Sequence, residues 1–126
     1  MDKGMNRDHT ELEIWIEGKK LVNLAYILTT KLPKELFASA GRIRKTAVSV
    51  PLNIAKGYER RTYKDTLPFL QSAGESIHEL ETQFHLALGH AHVSGKDFEM
   101  INKKILLCKK LISGFINYHK KIEYEK

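Results

Sequence analysis

From Leu70 the apolar residues recur at alternating spacings of three and four, through Ala73, Ile77, Leu80, Phe84, Ala87 and Ala91. A second series runs Phe98, Ile101, Ile105, Cys108, Ile112 and Phe115, then His119 and Ile122, and a third runs Leu36, Ala40, Ile43, Ala47, Val50 and Ile54. This spacing keeps each series on one helical face and suits near-parallel packing against partner helices. It predicts three long helices. Residues 11–31 form a fourth helix of another kind: Trp15, Val22 and Tyr26 point one way, Ile14, Leu21 and Leu28 another, and Ile16 and Ile27 widen the apolar arc. A helix in a monomeric bundle buries one stripe only, so a second stripe implies a second partner, and another copy of the chain is the simplest source. Ile14, Trp15, Leu21 and Leu28 are the candidate oligomer contacts.

Helix ends carry capping chemistry. Thr10 with Glu13, Thr62 with Asp65, and Ser94 with Asp97 each set a hydroxyl three residues before a carboxylate, which satisfies orphan amides and complements the helix dipole. Pro33 marks the turn between the first two helices. Short joints at 32–34, 58–63 and 93–95 make consecutive helices antiparallel neighbours. The expected fold is all-α, an up-down-up-down antiparallel four-helix bundle over 10–122, between a flexible segment 1–9 and a frayed end 123–126. Pro51 and Pro68 interrupt the pattern, since each removes an amide donor and crowds the turn before it. The expectation is a kink near Val48 to Pro51, and a late start or bend of the third helix near Pro68.

Of the 126 residues 42% are apolar and 29% charged, which excludes a disordered or collagen-like chain and fits one domain with a single core. No apolar run approaches the roughly 18 residues that span a bilayer. Met1 to Thr10 is polar, and the single Cys108 cannot form an internal disulfide; a cytoplasmic protein without a membrane partner is expected. Twenty-one bases against 15 acids leave a net charge of +6, and that excess is concentrated. Arg42, Arg44, Lys45, Lys56, Arg60, Arg61 and Lys64 lie close in sequence, whereas Asp65, Glu75, Glu79 and Glu81 dominate the third helix.

On a helical projection Arg42, Lys45, Ser49, Asn53, Lys56 and Arg60 fall within a sector of about 80°, away from Ile43, Val50 and Ile54, with Arg61 at its end. Cations interleaved with Ser and Asn donors can contact successive phosphates, so these seven are the candidate nucleic-acid-binding residues. The stretch offers no aromatic platform and no RNA-recognition signature, so readout would rest on backbone and shape. The same face read as protein surface would meet the acidic third helix of a neighbour or another protein. Glu75 and His78 have the i, i+3 spacing of di-iron bundles, but those sites need two such pairs and two further carboxylates, all facing inward. His78, His85 and His92 recur every seven residues, about 10 Å apart, too far for shared ligation. Cys108 falls on the core stripe as a buried thiol. No phosphate-cradling glycine loop or nucleophile–base arrangement is present. Neither catalysis nor a cofactor is expected.

The stretch RIRKTAVSVPLNIAKGYERR, from Arg42 to Arg61, resembles a pattern of small bundle proteins encoded by intervening sequences within bacterial 23S ribosomal RNA genes. That pattern is an Arg pair, Ala-Val-Ser-Ile/Val-Pro-x-Asn-Ile-Ala-Glu-Gly and a further Arg; Arg44, Lys45, Ala47, Val48, Ser49, Val50, Pro51, Asn53, Ile54, Ala55, Gly57 and Arg60 match it. Leu12 to Trp15, Leu32 to Glu35, Phe69-Leu70 and Ser76 to Gln83 extend the resemblance over most of the chain. It implies a four-helix bundle, assembly as a homopentamer around a channel, and nucleic acid, ribosomal RNA included, as a partner. It also implies kinship with accessory partners of the reverse transcriptases of diversity-generating retroelements. Lys56 stands where the family has Glu, Leu52 replaces a small polar residue and Pro68 interrupts the third helix; the first change makes the surface more basic.

Overall fold

A computed structural model describes His9 and residues 12–124, and it contains four α-helices and no strand among them. They are α1 (Glu13–Thr30), α2 (Phe37–Tyr58), α3 (Tyr63–Gly89) and α4 (Gly95–Tyr124), with a 3-10 turn at Lys34–Leu36 leading into α2. Consecutive helices pack side by side, α4 closes back on α1, and the backbones of the diagonal pairs stay apart. The result is a square, antiparallel four-helix bundle, as the short joints require.

The core follows the heptad stripes. Ala40, Ile43, Ala47, Val50 and Ile54 of α2 meet Leu70, Ala73, Ile77, Leu80 and Phe84 of α3 and Ile101, Ile105, Cys108 and Ile112 of α4, all buried. From α1 the inward residues are Ile14, Leu21, Ala25 and Leu28. This corrects the assignment of Ile14, Leu21 and Leu28 to an outer contact: they fill the chain's own core, and Trp15 is half-buried against it. The physical reason is the close approach of α2. A methyl group at Gly18 would stand 3.4 Å from Val50 and 3.8 Å from Pro51, so the Gly18 side of α1, with Ile14, Leu21 and Ala25, faces inward. The apolar residues of α1 left outside are Ile16, Tyr26 and Ile27.

Two of the expected caps form: Asp65 N–H donates to Thr62 Oγ1 at 3.1 Å and Asp97 N–H to Ser94 Oγ at 3.0 Å. Thr10 lies outside the described residues; α1 starts at Glu13 behind Leu12, which supplies no side-chain cap. His9 packs edge-on against Trp15, with ring centroids 5.1 Å apart. α3 starts at Tyr63 and runs through Pro68 without a late start, because Thr62 caps it and Pro68 sits only one and a half turns in. α2 is likewise continuous through Pro51. α4 reaches Tyr124, beyond the boundary expected at 122.

α3 ends in a Schellman turn: His92 N–H donates to Ala87 O at 2.8 Å and Ala91 N–H to Leu88 O at 3.0 Å. This places Ala91 in the left-handed region at φ 60, not on the helical stripe where its spacing put it. It also ends the histidine row at His85, because His92 has left the helix and stacks on His90 at 5.7 Å. The left-handed conformation costs an L-residue about 1–2 kcal/mol, partly offset by the greater unfolded-chain entropy of glycine. Ala91→Gly is therefore expected to stabilise the bundle by about 0.5–1 kcal/mol, read as a higher urea midpoint at unchanged slope. A lower midpoint would contradict the turn geometry.

Candidate nucleic-acid interface

The α2 sector that carries the predicted binding row borders the seam between α2 and α3, and the seam divides its members. Ser49 Oγ lies 2.6 Å from Thr46 O and 2.6 Å from Ser76 Oγ on α3. A carbonyl can only accept, so Ser49 gives its proton to Thr46 O and takes one from Ser76. Asn53 Nδ2 donates to Ser49 O at 2.8 Å. Both side chains are half-buried, and Ser49 ties α2 to α3 through Ser76 while Asn53 bonds back along its own helix. The Ser49 hydroxyl is thus engaged across the seam rather than turned to solvent.

The cations of the row point outward. Lys45 and Lys56 are exposed and make no ion pair or hydrogen bond with another described residue. Arg42 is exposed and donates to Ser39 Oγ at 3.2 Å. It also lies on the rim of a cavity of about 260 Å³ whose lining includes Leu36, Gln83, Leu86 and His90. Arg60 is exposed with its guanidinium 4.8 Å from the centre of the Phe69 ring, and Arg61 is exposed beside it. Between Lys45 and Lys56 the outer face of α2 carries Val48 and Leu52, both exposed.

Arg44, which the charge count grouped with this row, has turned away to the end of α1. It donates to Thr29 Oγ1 at 2.8 Å, Thr30 Oγ1 at 3.0 Å and Tyr26 O at 3.3 Å, and lies 4.5 Å from the centre of the Tyr26 ring. A cation among the last carbonyls of a helix complements its dipole, so Arg44 joins α2 to α1.

Residues of α3 that sequence reasoning left unassigned complete the seam. Thr46 is buried, donates to Arg42 O at 2.9 Å or Glu79 Oε2 at 3.2 Å, and accepts from Gln83 Nε2 at 3.1 Å. Ser76, Glu79 and Gln83 recur at three and four residues beside the Ile77, Leu80 and Phe84 stripe, which was the signal available for them. At the far end the two backbones come close: a methyl group at Gly57 would lie 3.0 Å from Phe69 Cβ and 3.3 Å from Thr66 O.

The profile of the 23S rRNA-intervening sequence proteins matches residues 10–114, which take in α1, α2, α3 and most of α4. The chain belongs to that family. No curated protein matches it. In this family member Ser49 and Gly57 of the pattern serve helix packing: the serine bridges the seam to Ser76 and the glycine admits α3, while Asn53 bonds along its own helix. The exposed Lys45, Lys56 and Arg60 have no comparable packing role.

Along α4, three inter-element ion pairs form among the described residues. Lys104 of α4 donates to Glu17 of α1 at 2.6 Å, Lys31 pairs with Asp97 at 3.0 Å, and Lys109 pairs with Glu81 at 2.9 Å. The hydrogen bond from Lys104, helped by Lys20, holds Glu17 below the ordinary carboxylate range against the opposing effect of burial. Burial pushes the Cys108 thiol up to about 12, with Glu17 adding to the shift. Cys108 is thus protonated and enclosed at neutral pH, without the thiolate that nucleophilic chemistry needs. Among the described residues no three metal-ligating side chains come together, and no helix is long and apolar enough to cross a membrane.

Proposed function

We propose that the protein is a non-enzymatic homo-oligomer, a pentamer, that binds RNA or other nucleic acid through the outer face of α2. The observation that carries this reading is the pair Lys45 and Lys56, exposed and without an ion pair among the described residues, whereas Lys104 and Lys109 of α4 are each paired with a glutamate. With Arg42 on the same helix and Arg60 and Arg61 in the turn that follows it, they form an edge of positive charge along one side of the bundle, and repetition around a ring multiplies weak phosphate contacts. Ser49 acts indirectly in this reading, by fixing α2 on α3 through Ser76.

Lys45→Glu/Lys56→Glu tests it, because neither side chain supports the fold. With a labelled oligonucleotide at two salt concentrations, the double variant should bind at least about ten-fold more weakly. Its log–log salt slope should fall by about 1.5, from two lost contacts at roughly 0.7–0.9 each. Binding unchanged by the substitutions, or indifferent to salt, removes the proposal. Light scattering tests the assembly, and a mass near 14.5 kDa, that of one chain, removes the oligomer.

A second reading, a protein-interaction scaffold or an accessory subunit of a reverse transcriptase, draws on Val48 and Leu52, two exposed apolar side chains on the same face. It is favoured if Val48→Ser/Leu52→Ser abolishes assembly with a protein while Lys45→Glu/Lys56→Glu leaves oligonucleotide binding intact.

A further inference from the structure

We infer that the end of the bundle at the α2–α3 turn takes the unstacked bases of single-stranded nucleic acid; this rests on the nucleic-acid reading and assigns it a second contact. The sequence around the basic row offers no aromatic platform, but the fold assembles one from distant residues. Antiparallel packing brings the C-terminus of α2, the N-terminus of α3 and the C-terminus of α4 to the same end. There a groove of about 410 Å³ runs between α3 and α4, its lining including Tyr63, Leu67 and Gln71 on one side and Asn117, Lys120 and Tyr124 on the other. Tyr124 is 80% exposed, a bare ring beside an open groove. Arg61 and Lys64 lie within two residues of Tyr63 in the chain, Lys121 follows Lys120, and all four are exposed.

Among the described residues the acids at this end are Glu13, Glu59, Asp65 and Glu123, of which Glu13 and Asp65 lie in the first turns of α1 and α3 and Glu123 lines the groove. They are outnumbered by Arg60, Arg61, Lys64, Lys120 and Lys121. Aromatic rings among cations are the pattern by which single strands are held: bases stack on the rings while the cations follow the phosphates. The Gln71 and Asn117 amides each offer donor and acceptor atoms, so they can pair with the edge of any base. A duplex buries its base faces and cannot use the rings.

The test compares a labelled single strand of about 12 nucleotides with a duplex of the same length, by anisotropy on the full chain. Tyr63→Leu/Tyr124→Leu should weaken single-strand binding about ten-fold, leaving duplex affinity and the salt slope unchanged. Tyr124→Leu alone, at an exposed position, should give part of that loss with helix content unchanged by circular dichroism. Lys45→Glu/Lys56→Glu should weaken both substrates alike. Single-strand affinity within two-fold of wild type in both tyrosine variants overturns this inference and leaves the α2 reading standing. A wild-type protein that binds neither substrate overturns both.

Discussion

Phe84→Ala should remove most of the stability of the bundle, about 3–5 kcal/mol, and lower the thermal midpoint by roughly 10–20 °C at fixed protein concentration. Among the described residues Phe84 is the largest fully buried side chain, 1% exposed toward the C-terminal end of the stripe that α3 presents to the core. Its truncation forfeits the transfer energy of the ring and leaves a void that helices braced on two neighbours each cannot fully close. Set against a typical total of about 5–15 kcal/mol, the loss leaves a marginal protein. Urea unfolding followed by circular dichroism measures it. A loss below about 1 kcal/mol would mean that the ring is not enclosed.

Gly57→Val is expected to cost about 2–3 kcal/mol through overpacking, although valine has the higher helix propensity. The first added carbon would already stand 3.0 Å from Phe69 Cβ and 3.3 Å from the Thr66 carbonyl. Neither neighbour is the loose end of a side chain, so α2 and α3 must separate. Gly57→Ala isolates the first of these contacts and should cost less, because its gain in propensity of about 1 kcal/mol offsets part of the clash. Both variants are read by urea midpoint. An alanine variant more stable than the parent would show that the helices are not in close contact there. Separation at Gly57 would also shift Arg60 off Phe69, so nucleic-acid binding should weaken along with stability.

The stripes of α2, α3 and α4 were legible because each helix buries one face, and a heptad spacing then has a single solution. Ile43, Val50 and Ile54, Ile77, Leu80 and Phe84, and Ile101, Ile105 and Ile112 all lie where their spacing put them. α1 was ambiguous because it is apolar over a wide arc. Periodicity ranks faces only when one is polar, and nothing local marked the small Gly18 as the point where α2 approaches. Ala91 was misplaced for a related reason: spacing extends a helix until a breaker appears, and alanine is an unusual residue at a left-handed position.

The candidate site shows the same division. Composition and helical phase located the cations of α2, but phase alone could not say that the Ser49 hydroxyl is engaged by Ser76 at the edge of a seam, or that Arg44 reaches back to α1. The sequence by itself determined four helices, their antiparallel order, most of the core and the concentration of positive charge, because these follow from spacing, short joints and counting. Only the tertiary structure decided which face of α1 is inside, which polar side chains of α2 bond across to α3, and that Tyr63 and Tyr124 line one groove. Those outcomes depend on which helix lies opposite which, and residues some sixty positions apart carry no local sign that they will be neighbours.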